Sequence, residues 1–204
     1  MKTTKMSWRL IFVAVVATAV FTINLSSCSH CSTDCNSTQV ALADTITITE
    51  NEIFEAQQAW SDGIVNIGNV FLEKGDYIAV ATGHINEFYN YQEGTVLFKP
   101  TLTSQKQFRT DFQGALSYFV GGDENYPEDH GFAIKPWSSV RWENIGTKIS
   151  GNMAVAMGNY YFTPVNGGDV VKAEYSFAYT KDKAGKLKII LHDSHLPYKP
   201  DSHH

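Results

Sequence analysis

A histidine and a serine sit two residues apart near the end of the chain, in residues 186–198, KLKIILHDSHLPY. Leu187, Ile189 and Leu191 alternate with Lys188, Ile190 and His192, the period-two pattern of a strand. Continued, the alternation puts His192 and Ser194 on one face and Asp193 and His195 on the other. The first pair is then about 7 Å apart along the strand. Pro197 ends the run, because it cannot donate to a ladder. An apolar strand that turns polar at its end marks either the floor of a pocket or a strand fraying into a tail. This stretch alone leaves both readings open.

Other reactive groups are few. The body of the chain offers His84, His130, His192 and His195, with no His-x-His pair. Its three cysteines, Cys28, Cys31 and Cys35, fall within eight residues near the N-terminus. The body therefore has no disulfide and no thiol nucleophile. Cys31 and Cys35 could pair in an oxidising compartment. His30, Cys31 and Cys35 are a conceivable metal cluster, but they lie in a Ser/Thr/Asn-rich stretch suited to a tether. His84 recurs at helical spacing with Tyr77, Val80, Ala81 and Phe88, so it reads as a helix-face residue rather than a ligand.

The chain has 204 residues, 43% hydrophobic, and a net charge of −5. That is enough for one domain with a core and a tail at each end. No basic cluster follows the N-terminal leader, which argues against a nucleic-acid partner. The leader reads as an export signal: Lys2, Lys5 and Arg9, then an uncharged apolar run over residues 10–25. That run is short for a spanning helix. It ends in Leu25-Ser26-Ser27-Cys28, which resembles the lipobox of bacterial lipoproteins. Cleavage there makes Cys28 the lipidated residue of an exported, membrane-anchored protein on the periplasmic or outer face. An ordinary secretory signal and a signal-anchor are the alternatives. Loss of residues 1–27 removes three positive charges and no negative one, moving the charge from −5 to −8. This gives residues 1–27 as signal, 28–45 as tether, 46–199 as folded domain and 200–204 as tail.

The elements that must position the His–Ser pair follow in order. Ile53, Ala56, Trp60, Ile64, Ile67 and Phe71 form one face of a long helix, capped by Thr49 or Asn51 and ended at Lys74-Gly75-Asp76. A shorter helix covers Tyr77 to Phe88. Residues 94–101 read as a strand leaving at Pro100. Phe108, Phe112, Ala115 and Phe119 share a face of a third helix, stopped by Gly121-Gly122. An acidic loop follows over residues 123–129. Then come β-type runs at 132–134, 139–142, 152–162, 170–179 and 187–194, with turns at 166–169 and 181–185. Helices followed by an antiparallel meander mean α+β. A bent sheet around the long helix would enclose a conical pocket.

The segments NYQEGTVLFKPT, FRTDFQGALSYFVGG, EDHGFAIKPWSSVRWENIG, GNYYFTP and KLKIILHDSHLPY, in that order, resemble the iota-class carbonic anhydrases in their cyanobacterial and algal form. More distantly they resemble the association domain of calmodulin-dependent kinase. The likeness spans about residues 50–198. It implies the cone-shaped α+β barrel of nuclear transport factor 2, dimeric through the outer sheet face. The family's closing motif reads His-His-Ser-Ser-x-Pro. Here His192 and Ser194 match, while Asp193 and His195 replace the second His and second Ser. The resemblance further implies Thr101, in FKPT, and Tyr118, in ALSYFVGG, as pocket residues.

On this reading the chain hydrates carbon dioxide reversibly, without metal or other cofactor, using water held by the hydroxyls of Thr101, Tyr118 and Ser194. His192 is the better proton acceptor if it reaches that water. Tyr175, Phe177, Trp142 and Phe98 are candidate walls, with core packing as their ordinary role. Loss of any one hydroxyl is expected to cut activity while leaving the melting temperature nearly unchanged. Two other readings stand beside it: a non-enzymatic small-ligand or oligomerisation module, and an isomerase or cyclase with a deep acidic or His dyad.

Overall fold

The structure is a computed structural model and describes residues 47–200. The expected signal, the lipobox and Cys28, the whole tether and the tail beyond residue 200 lie outside the described residues. The long helix is α1 (Glu50–Leu72). Of the two candidate caps it uses Thr49, whose hydroxyl accepts the Glu52 N–H while the Glu52 carboxylate accepts the Thr49 N–H at 2.8 Å. This reciprocal pairing satisfies two amides the helix cannot bond itself. Helix α2 (Tyr77–Phe88) is capped by Asp76 and crosses α1 closely. Gly63 permits that approach: a Cβ there would fall 2.1 Å from His84 Nδ1.

Helix α3 (Phe112–Val120) starts later than its apolar pattern suggests. Asp111 accepts the Gly114 N–H and fixes the first turn. Phe108 lies outside the helix and is 66% exposed. The chain before the helix is irregular, and Arg109 N–H donates to Phe98 O at 2.7 Å. Gly121 and Gly122, at φ 69° and 82°, end the helix in a conformation that a side chain resists.

Five strands form one sheet in the order β1-β5-β4-β3-β2: β1 (Leu97–Lys99), β2 (Trp137–Ser150), β3 (Met153–Pro164), β4 (Val171–Lys181) and β5 (Leu187–His195). The last four make the expected antiparallel meander. β1 pairs with β5 in parallel, Phe98 beside His192. The expected strand at 132–134 is instead a loop pinned to α3 by Phe132 N–H to Tyr118 O and Ala133 N–H to Phe119 O, each 2.9 Å. β2 far exceeds the expected 139–142, because most of its residues are solvent-facing and carry little apolar periodicity. The sheet does not close into a barrel; β1 and β2 remain its two edges.

A bulge sets the aim of β5. Tyr179 pairs with Ile189 but the next residue back, Ala178, pairs with Leu191, so Ile190 is an extra residue. Plain alternation would put Ile189 and His192 on opposite faces. With the extra residue, both face the core, at 3% and 4% exposure. Beyond the bulge, alternation holds: Ser194 is buried, while Asp193 and His195 are about half-exposed on the other face.

Trp60 of α1 is the centre of the core. Its ring centroid lies 5.6 Å from Trp142 of β2, 6.3 Å from Tyr160 of β3, 6.3 Å from Phe177 of β4 and 6.0 Å from His192 of β5. One side chain thus fastens the helix across four strands. Truncating such a residue costs about 3–5 kcal/mol.

Candidate active site

The parallel β1–β5 pairing carries Thr101, two residues past β1, to the end of β5. Thr101 Oγ1 is 2.5 Å from Ser194 Oγ. Tyr160 of β3 donates its hydroxyl to Ser194 Oγ in a short hydrogen bond. The Tyr160 oxygen is also 3.3 Å from His192 Nε2. On the far side of the ring, His192 Nδ1 is 2.9 Å from the Tyr89 hydroxyl, which accepts Trp60 Nε1–H at 3.1 Å. Six buried or half-buried groups therefore form one unbroken chain: Trp60, Tyr89, His192, Tyr160, Ser194, Thr101. Lys99 Nζ donates to the Ser194 carbonyl at 2.7 Å and steadies its far end.

This chain borders a small buried cavity. Trp60, Phe98, Phe119 and Phe132 give it apolar walls; Thr101, Tyr118, Tyr160 and His192 give it polar ones. Its volume is about 10 Å³ counted for the centre of a water molecule, room for about one water. Ser194 reaches it only through Thr101 and Tyr160. The Tyr118 hydroxyl is buried and makes no hydrogen bond. A second cavity of about 60 Å³ shares Tyr118 and Phe132 with the first and is also lined by Glu128, His130 and Lys135. Larger grooves occur elsewhere, about 560 Å³ beside Leu97 and Phe108, but they are open surface features away from the hydroxyls.

Every titratable group at the cavity is held neutral. Burial, and secondarily the Lys99 charge, keeps the His192 imidazole well below its ordinary value. Burial pushes the Tyr89 and Tyr160 phenols well up. It pushes Tyr118 up to about 12; the nearby Thr101–Leu102 turn tempers that shift, though nothing there completes a hydrogen bond. No carboxylate lines the cavity. Asp193 faces outward beside His195, at 3.8 Å, so the deep dyad of an isomerase is not formed by it. Among the described residues, no three His, Cys, Asp or Glu side chains gather as a metal site.

Behind Thr101 and Tyr118 stands a second polar cluster. Arg109, fully buried, pairs with Asp129 at 2.8 Å and lies over the Tyr126 ring at 4.4 Å. Asp129 accepts the Ser117 hydroxyl, one residue before Tyr118, at 2.7 Å. Glu128 accepts the backbone N–H groups of Ser104, Gln105 and Lys106, which hold its carboxyl down to about 2. The acidic loop thus ties the Thr101 segment to α3.

The structure brings together all four residues expected from the sequence, Thr101, Tyr118, His192 and Ser194. Of the four candidate walls, Phe98 lines the cavity, while Trp142, Tyr175 and Phe177 pack behind it. Trp60, Tyr89 and Tyr160 were not expected there. Tyr160 and Phe162 alternate inward on β3, and that period-two signal lay in GNYYFTP. Nothing in the sequence pairs Tyr89 with His192.

The sequence profile of a family described as metal-independent carbonic anhydrase matches residues 51–196. A metal-independent carbonic anhydrase of Nostoc sp. (strain PCC 7120) is 44% identical over 155 residues, covering 74% of this chain and 75% of that protein. The crystal structure of an iota-carbonic anhydrase from a cyanobacterium, solved with bicarbonate, superposes with a TM-score of 0.74 at 42% identity. It covers 76% of this chain and 96% of that one.

Proposed function

The chain belongs to the metal-independent carbonic anhydrases, and we propose that it interconverts carbon dioxide and bicarbonate at the Thr101–Tyr118 cavity through neutral hydroxyl groups. The observation that carries this reading is the Ser194–Thr101 contact. With Tyr160 donating to Ser194 and Ser194 to Thr101, it leaves Thr101 both its proton and a second lone pair for the cavity, backed by a polarisable chain. No resident base is needed. The oxygen of a held water forms the new C–O bond as one C=O pair shifts onto its own oxygen. The water's proton passes to Thr101 Oγ1, and the Thr101 proton passes to the forming carboxyl oxygen. The product is carbonic acid, which ionises to bicarbonate and a proton as it leaves. The unpartnered Tyr118 O–H is free to stabilise charge that develops on the way. Carbon dioxide presses against Phe98, Phe119 and Phe132, and a cavity with room for about one water must widen to admit it, with Tyr118 between it and the outer cavity.

The test is the solvent deuterium isotope effect on hydration by the purified full chain. Two protons in flight give a curved dependence on deuterium fraction. A linear one, or none, overturns the relay. Thr101→Val, which keeps the shape without the hydroxyl, is expected to lose about 10²–10³ in kcat.

Two further features belong to the same proposal. Met153, Val155 and Met157 present an exposed apolar row on the outer face of β3, with Ile145 of β2 also exposed, which supports a homodimer through that face. The Leu25–Cys28 motif supports an exported protein held at a membrane by lipid on Cys28.

A further inference from the structure

We propose that Tyr89, backed by Trp60, holds His192 as the Nε2–H tautomer and so fixes the direction of the whole hydrogen-bond chain. This rests on the carbonic anhydrase reading only for its consequence, not for its geometry. Tyr89 and Trp60 are then positioning residues for the reaction, acting through His192.

Counting donors gives the assignment. Trp60 Nε1–H can only donate, and it donates to the Tyr89 oxygen. Tyr89 is 1% exposed, so its one proton needs a buried acceptor. The acceptor at hand is His192 Nδ1, at 2.9 Å. Nδ1 must therefore carry a lone pair, and a neutral ring then bears its proton on Nε2. At the other end, the Tyr160 proton is already spent on Ser194 Oγ. The Tyr160 oxygen is free to accept, and His192 Nε2 is 3.3 Å away. The opposite tautomer would aim two donors at the Tyr89 oxygen, strand the Tyr89 proton, and set a lone pair on Nε2 against the Tyr160 oxygen. The ring has no freedom to turn away: it is stacked on Phe98 at 4.6 Å and packed on Phe177 at 4.0 Å.

The polarity then runs one way. Trp60 donates to Tyr89, Tyr89 to His192, His192 to Tyr160, Tyr160 to Ser194, and Ser194 to Thr101. Thr101, last in line, keeps its own O–H for the cavity. Each donation sharpens the next, because hydrogen bonds in a low-dielectric chain polarise one another. A helix residue and an α2-terminal residue, neither part of the expected site, thus decide that Thr101 meets the substrate as a donor. His192 is a relay of polarity, with its lone pair already taken, and not the acceptor of the water's proton.

The experiment is ¹⁵N NMR of the imidazole nitrogens in the full chain, together with hydration kinetics. The wild type is expected to show His192 with a protonated Nε2 and an acceptor Nδ1. Tyr89→Phe, nearly isosteric, removes the proton that fixes Nδ1. It should give a mixed or reversed tautomer and lower kcat about threefold to tenfold, the worth of one neutral hydrogen bond, with KM little changed. A protonated Nδ1 in the wild type overturns the proposal. So does Tyr89→Phe with the tautomer unmoved, whether kcat holds or falls, since a fall would then reflect packing. The tautomer is read without turnover, so failure of the carbonic anhydrase reading and failure of this one give different results.

Discussion

Ser194 Oγ lies 2.5 Å from Thr101 Oγ1, although 93 residues separate them. A three-residue parallel strand brings them together, and the contact makes their loss unequal to that of Tyr118. Ser194→Ala strands the Tyr160 hydroxyl, which costs about 1–3 kcal/mol of stability. Tyr118→Phe removes a hydroxyl with no hydrogen-bond partner on the protein, so its melting temperature should hold. This revises the expectation of uniformly unchanged melting temperatures. All three variants, Thr101→Ala included, should lose about 10²–10³ in hydration rate, as when one oxyanion donor is removed. Isotope exchange and thermal melts on the same samples check both halves. A loss at Asp193→Ala as large as at Ser194→Ala would sink the site.

Because no cavity group titrates between pH 7 and about 10, kcat should be flat over that range. His192 is neutral throughout, being buried, and Tyr118 stays protonated up to about 12. A kinetic step near pH 6–7 would identify an imidazole acceptor and defeat the hydroxyl relay. Stability behaves differently. Burial lowers His84 to about 3 and His192 well below its ordinary value, so the unfolded chain binds protons that the folded one refuses. Stability is thus full above about pH 6.5. It should fall on acidification by up to about 1.4 kcal/mol per pH unit for each ring. Urea melts at pH 7 and pH 5 measure it, and His84→Leu should remove its share of the slope.

The donor set at the cavity is one imidazole with both nitrogens engaged, plus neutral hydroxyls. Divalent ions prefer carboxylate, thiolate or free imidazole in numbers this site does not supply. Activity should survive exhaustive chelation, with elemental analysis finding well under one transition metal per chain. Loss on chelation and recovery with one particular metal would replace the relay with a metal-bound water.

Much of the architecture was readable because burial was one-sided. α1 shows its apolar stripe in sequence, with Thr49 one of two candidate caps, and β5 its alternation from His192 to His195. What failed had a local cause. β2 faces solvent along most of its length, so no period marks it. The Ile190 bulge is set by pairing with β4, which a single strand does not encode. Tyr89, backed by Trp60, reaches His192 Nδ1 and Tyr160 reaches Nε2, and only the packed core reveals that these two tyrosines share the ring's nitrogens. The acidic loop carries no pattern that marks burial, yet Asp129 is buried against Arg109.

Cys28→Ala should move the protein out of the membrane fraction into a soluble or precursor pool. Fractionation with metabolic lipid labelling checks this. A wild type already soluble after export would rule out the lipid anchor and leave an ordinary secretory signal.

Glu128 is the residue whose loss should separate fold from function. Its carboxylate holds three successive backbone amides, of Ser104, Gln105 and Lys106, just beyond Thr101. Its neighbour Asp129 holds Ser117, just before Tyr118, and Arg109 stands between, 2.8 Å from Asp129 and 3.7 Å from Glu128. Glu128→Gln keeps the shape but weakens charge-assisted bonds worth about 1.5–3 kcal/mol in total stability. The Thr101 segment then loosens, and small misplacements of a reacting group are costly. We expect kcat to fall about tenfold. A general loss of structure would add to any other lesion. Positioning through Thr101 would not: in a Thr101→Ala background, Glu128→Gln should leave kcat unchanged while still lowering the melting temperature. A full second tenfold loss in that background would show that Glu128 acts elsewhere.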